Sequence, residues 1–232
     1  MSDELENLIQ FDTEFPNDPP PFRAARTVPD WLKNMPMQRD VPNTQGGYIR
    51  TVKNCLPFLD AMNCGYVIPL RSTVHFFLKD RQTLEYHCPD FARDGETVGG
   101  QPNLGFEGAP FGQMVAVKFI NHWVIKTPPG YSTLFLPLLN QFHLPFQVLS
   151  GLVDTDTYYR DVFLPAICLM QPGTRCVLER GTPLVQVVPF KRETWRSANG
   201  QLDIRAREAS EARARENVHH YRDTNWQKKE FR

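Results

Sequence analysis

The chain has 232 residues, 41% of them hydrophobic, which is enough to bury the core of one main domain with appendages but a poor fit to two full domains. Lys and Arg total 26 and so do Asp and Glu, so no global field recruits nucleic acid or an anionic membrane, and neither is expected as a partner. The 14 Gly and 20 Pro, with aromatics spread throughout, favour short strands joined by many turns over a helical bundle.

Residues 1–48 are expected to form an extended arm. Six acids and no base occupy the first twenty positions, and Phe15-Pro16-Asn17-Asp18-Pro19-Pro20-Pro21-Phe22 favours polyproline II. Within the arm, Val28 to Met35 can make one short helix, with Pro29 near its first turn and Trp31, Leu32 and Met35 docking on the core. The Met-Ser-Asp-Glu-Leu-Glu start has no basic n-region or apolar run, and Pro137 and Pro165 interrupt the longest apolar stretches. The expected location is cytoplasmic, with no membrane partner.

A β core is expected over 49–195. Val52, Cys55, Leu56, Leu59 and Met62 recur at helical spacing, with Pro57 inside the run and Gly65 as a C-terminal stop. Strands are predicted at Gly65–Leu70, Thr73–Leu78, Gln82–His87, Met114–Ile120, Trp123–Lys126, Ser132–Leu136, Gln147–Val153, Asp161–Met170, Arg175–Leu178 and Leu184–Phe190. Residues 90–112 read as a Gly-rich loop, long enough to be functional or mobile. Over 196–232 the pattern changes: Asp203, Arg207, Glu211 and Arg215 form an i, i+4 charge ladder beside a thin apolar stripe, as in an exposed or subunit-bridging helix.

Three site chemistries can be weighed. Cys55, Cys64, Cys88, Cys168 and Cys176 are odd in number and contain no Cys-x-x-Cys pair, which disfavours a disulfide framework or a zinc finger. His75, His87, Asp90, His122 and His143 lie in or beside predicted strands, where a β-barrel can gather a non-haem metal site. None forms a His-x-His or His-x-Asp/Glu pair at strand spacing, so no metal ligand is assigned and the oxygenase reading stays a second alternative. Asp154, in Gly151-Leu152-Val153-Asp154-Thr155-Asp156, is either a catalytic carboxylate or the opening residue of a turn that caps backbone amides.

Between Phe119 and Phe190 the order of motifs resembles the second half of the dUTPase and dCTP deaminase superfamily. Pro128-Pro129-Gly130-Tyr131, Gly151 to Asp156 followed by Tyr159-Arg160, and Gly181-Thr182-Pro183-Leu184-Val185-Gln186-Val187 carry it, with Cys64 to Leu70 upstream. The resemblance implies a mainly β, dUTPase-like β-clip barrel and points to Asp154 as the catalytic candidate, with Tyr159, Arg160 and Gln186 as ligand-binding candidates. Two departures bear on activity. Leu138, Leu139 and Asn140 follow Pro137 where that superfamily places an Arg and a Ser on the triphosphate, and Val67 replaces an acidic residue. The whole chain also resembles a family of tailed bacteriophages and bacteria with which no activity is associated, on Arg26 to Lys33, Thr51 to Phe58, Gly65-Tyr66 and Trp226 to Lys229.

The resulting expectation is a non-catalytic binding or assembly module on a degenerate dUTPase-like fold, phage-encoded and residing in host cytoplasm or virion among phage structural proteins. A diverged nucleotide hydrolase or deaminase is the first alternative, and only it calls for a cofactor, Mg²⁺. Because arm and helix have little to bury against in their own domain, a homo-oligomer is expected, a trimer in particular, with arm or tail crossing to a neighbour.

Overall fold

A computed structural model describes residues 7–42, 47–89, 97–100, 108–109, 114–217 and 219–232. The expected mainly β architecture with a C-terminal helix is found. The strands are β1 (Gln10–Asp12), β2 (Phe22–Arg23), β3 (Gln38–Asp40), β4 (Tyr48–Arg50), β5 (Tyr66–Pro69), β6 (Val74–Leu78), β7 (Leu84–His87), β8 (Val98–Gly100), β9 (Ala116–Phe119), β10 (Val124–Lys126), β11 (Tyr131–Leu136), β12 (Phe146–Val148), β13 (Gly151–Val153), β14 (Leu164–Cys168), β15 (Thr174–Leu178) and β16 (Pro183–Lys191). Helices are α1 (Asp30–Lys33), α2 (Leu56–Asn63) and α3 (Ile204–Glu216).

The expected single barrel is not closed. Strand pairing instead gives a five-stranded sheet in the order β13-β11-β16-β5-β2, a four-stranded sheet β12-β14-β9-β8, a three-stranded sheet β15-β6-β7 and two ribbons, β1-β10 and β3-β4. Alternation decides which faces meet. In β6 the side chains of Val74, Phe76 and Leu78 are buried while His75 is exposed, as a period of two requires. Phe76 then meets Phe146 and Phe119 of the four-stranded sheet at ring-centroid distances of 4.5 and 6.3 Å, joining two sheets through one aromatic cluster. The central β16 is buried continuously from Leu184 to Val187, consistent with neighbours on both edges.

Local sequence explains where predicted elements shorten or split. The run 147–153 becomes two strands because β12 pairs with β14 and β13 pairs with β11, so one stretch of sequence serves two sheets. The helix predicted from Thr51 begins instead as a 3₁₀ turn, Val52–Asn54, and α2 starts at Leu56, placing Pro57 in the first turn where its missing N–H breaks no intrahelical bond. Gly65 follows at φ +72°, and a Cβ there would lie 2.1 Å from the Val187 carbonyl oxygen. That contact, more than flexibility, demands glycine. Helix α1 is confined to four residues after Pro29; of the three expected docking residues Leu32 is buried, whereas Trp31 stays half exposed. Most of the Gly-rich loop, Asp90 included, lies outside the described residues, and the part that is described holds β8, paired with β9.

The arm does find surface in its own domain, contrary to expectation. β1 pairs with β10 and β2 with β5. Asp18 and Arg71 form an ion pair at 3.2 Å with side chains only 10% and 7% exposed, Phe15 lies 4.7 Å beneath the Arg71 guanidinium, and Ala24 and Leu32 are fully buried. A carboxylate this far out of water is stable only because the guanidinium accompanies it. The C-terminal helix behaves as expected. No residue of α3 is buried, Asp203 caps it by accepting from the Ala206 N–H at 3.0 Å, and Glu211 pairs with Arg207 and Arg215. Beyond α3 the chain returns to the core: the Trp226 indole and the Lys229 ammonium both donate to Asp60 at 2.8 Å. Among the described residues no helix is long and apolar enough to cross a membrane.

Candidate functional site

Three sequence-distant pieces converge at one end of β11. The first is the Pro128–Tyr131 turn, closed by the Tyr131 N–H on the Pro128 carbonyl at 3.2 Å, with Gly130 at φ +86° in the position where a type II turn needs a positive φ. The second is the turn after β13, where the N–H groups of Thr157 and Tyr158 donate to the Asp154 carbonyl. The third is Arg192, the first residue past β16, whose own N–H donates to Gly130 O at 2.8 Å.

Asp156 is the electrostatic centre. Its side chain is 5% exposed; it accepts the Gly130 N–H at 2.8 Å and meets Arg192 in a bidentate pair, with Nη1 on Oδ1 at 2.9 Å. The guanidinium and that backbone donor hold its carboxyl down to about 2, and Asp156 in turn raises the Arg192 pKa. Asp154 differs in environment. It is 57% exposed and takes the Ser132 hydroxyl at 2.6 Å and Arg192 Nη1 at 3.2 Å on one oxygen. Its carboxylate therefore serves these side chains, while its main chain makes the turn. Between the two acids Thr155 points inward, joining Thr127 and Thr133 through hydroxyl contacts of 2.8 and 2.9 Å that satisfy all three buried side chains.

The sequence candidates are dispersed around this cluster. Asp154 and Arg160 line one cavity of about 610 Å³ together with Leu152, Thr157, Tyr158 and Phe163. Tyr159 is turned toward the arm, where its hydroxyl donates to Asp12 at 2.8 Å, an interaction that raises its pKa. Gln186 is 1% exposed and spends its amide on backbone: Nε2 donates to the Ala61 and Cys64 carbonyls at 3.0 and 2.6 Å, and Oε1 accepts from the Leu139 N–H at 3.1 Å. His75 and His87 face each other across β6 and β7 with ring centroids 6.4 Å apart, and among the described residues no group of three His, Cys, Asp or Glu could hold a metal ion.

Sequence reasoning missed Ser132, Asp156 and Arg192 as site residues. Asp156 carried a usable signal, since its i, i+2 spacing from Asp154 puts a second carboxylate in the same turn. Arg192 carried none, because nothing in Phe190-Lys191-Arg192-Glu193 marks it apart from its neighbours.

The two departures from the superfamily pattern share one place. Leu138 and Val67 are both buried, at 4% and 0% exposure, and pack with Ala24 in a small apolar cluster. Asn140 follows at φ +59°, its amide donating to the Phe58 carbonyl at 3.2 Å.

No protein-family model matches the chain, and no curated protein matches it. Among solved structures it is similar to the dUTPase of Staphylococcus bacteriophage 80alpha in complex with dUpNHpp, at 10% identity and a TM-score of 0.39, covering 85% of this chain and 97% of that one. The dUTPase from phage phi11 of S. aureus is similar at 12% identity and a TM-score of 0.40, again over 85% of this chain and 97% of that chain. Both of these similar structures are phage dUTPases.

Proposed function

We propose that the chain is a non-catalytic binding and assembly module on a dUTPase-like core, working as a homo-oligomer, a trimer, with phage structural proteins as partners in host cytoplasm or virion. The observation that carries the non-catalytic part is the packing of Val67 and Leu138 against Ala24. Where the sequence resemblance calls for a carboxylate and a phosphate-gripping cation, the chain presents buried apolar carbon. Each charge-assisted hydrogen bond lost from a phosphate grip forfeits about 1.5–3 kcal/mol, so a triphosphate has little to hold it. Support for assembly comes from α3, a 13-residue helix with no buried residue. Helices of that length are marginal alone in water, and its two i, i+4 ion pairs add only a few tenths of a kcal/mol each, so an external surface is needed to hold it.

A second reading, a diverged nucleotide hydrolase, is favoured by Asp154 and Arg160 sharing one cavity. In that case Mg²⁺ would be the cofactor. The assay is release of pyrophosphate from dUTP and of ammonia from dCTP with Mg²⁺ present. No turnover is expected; turnover that disappears in Asp154→Asn replaces the module with the hydrolase.

A further inference from the structure

Arm and tail fold back over the same region and line a crevice of about 1020 Å³ that borders the Asp154 cluster at Thr127, Pro128 and Tyr131 but includes neither Asp154 nor Asp156. Tyr66 of β5 lines it, met edge-on by Phe11 of β1 at 5.6 Å and by Phe231 of the tail at 6.0 Å. Its hydroxyl donates to the Arg232 main-chain oxygen at 3.0 Å, so the phenol's polar end is satisfied and its ring remains an apolar wall. Desolvation raises its pKa above the ordinary phenol value.

Among the described residues, the charged side chains on its walls are those of Arg23, Arg26, Glu230 and Arg232. Glu230 is matched twice, by Lys228 and by Arg232, which hold its carboxyl down to about 2. Arg23 and Arg26 line the same crevice, and among the described residues neither guanidinium has a hydrogen bond or a carboxylate partner. Two planar cations with no carboxylate partner among the described residues, beside a set of aromatic rings, suit a specific ligand chemistry. The fork of a guanidinium fits a phosphate or carboxylate, and the rings favour a flat apolar body. The volume suits a small molecule rather than a folded partner.

We propose that this crevice binds a small aromatic anion, with Arg23 and Arg26 on the anionic group and Phe11, Tyr66 and Phe231 around the ring. The assignment goes beyond the module reading and holds whether or not Asp154 is catalytic. The probe is 1-naphthyl phosphate, titrated calorimetrically into the full chain, with 1-naphthol and inorganic phosphate as the two halves. The native protein should bind the whole probe at least tenfold more tightly than either half, with affinity falling as salt is added. The Arg23→Gln/Arg26→Gln double variant should lose at least tenfold, whereas Lys79→Gln, which removes a cation elsewhere on the surface, should match the native chain. Both arginines are exposed, so the double variant is expected to keep the native melting temperature. No binding by the native chain at millimolar probe, or equal binding by the double variant, overturns the assignment.

Discussion

Replacing Gln186 with leucine separates a core brace from a ligand contact. The change nearly conserves volume, so little cavity is created and the cost falls on hydrogen bonding. Three partners lose their bond: the Ala61 carbonyl, the Cys64 carbonyl and the Leu139 N–H. These sites are partly buried, and each orphaned group costs about 1 kcal/mol there, giving roughly 3 kcal/mol in total. For a chain of this size that corresponds to a fall in melting temperature of about 6–12 °C. Urea unfolding followed by tryptophan fluorescence, with half-buried Trp123 as a reporter, measures it. An unfolding free energy within about 0.5 kcal/mol of native would refute the bracing role and return Gln186 to the ligand candidates.

Other outcomes follow from the same contacts. Asp156 has its carboxyl held near 2, so the stability it confers is complete above the ordinary carboxylate range and is lost as pH falls from about 4 through about 2; Asp156→Asn should flatten the acid limb of a stability-against-pH curve, and an unchanged limb would place the acid sensitivity elsewhere. Asp60→Ala removes the acceptor shared by Trp226 and Lys229, and should expose the tail to trypsin at Lys228 and Lys229 while the core unfolds within about 1 kcal/mol of native; a tail that stays protected would mean that Asp60 is not its anchor. Gly65→Ala should prevent stable folding or cost more than about 3 kcal/mol, since the new methyl overlaps the Val187 carbonyl; a soluble variant of native melting temperature would contradict that contact.

The strands that alternate or run apolar for four or more residues, such as β5, β6, β11 and β16, were legible in the sequence because burial leaves its period there. The arm strands were not. β1 and β2 are three and two residues long, and their β character exists only through pairing with β10 and β5, far along the chain. The same limit hid the hairpin of β3 and β4. At the site, motif order led to Asp154, but the partners that define its environment come from the end of β16 and the start of β11, which no local pattern links. Val67 and Leu138 could be flagged as departures from a pattern; that they pack on each other is a property of the fold. The arm was misjudged for a physical reason too: a proline-rich acidic segment looks unable to bury itself, yet it docks through strand pairing and the burial of Ala24 and Leu32, with Asp18 matched by Arg71.

The most direct test of the assembly claim is the mass of the full chain in solution by light scattering at micromolar concentration, repeated with a chain that stops after Trp195. A trimer held together through its tail scatters as about three times 26.8 kDa, and as a lower multiple once α3 and the tail are gone. A full chain that scatters as a 26.8 kDa monomer, or a truncated chain that keeps the full multiple, would contradict it.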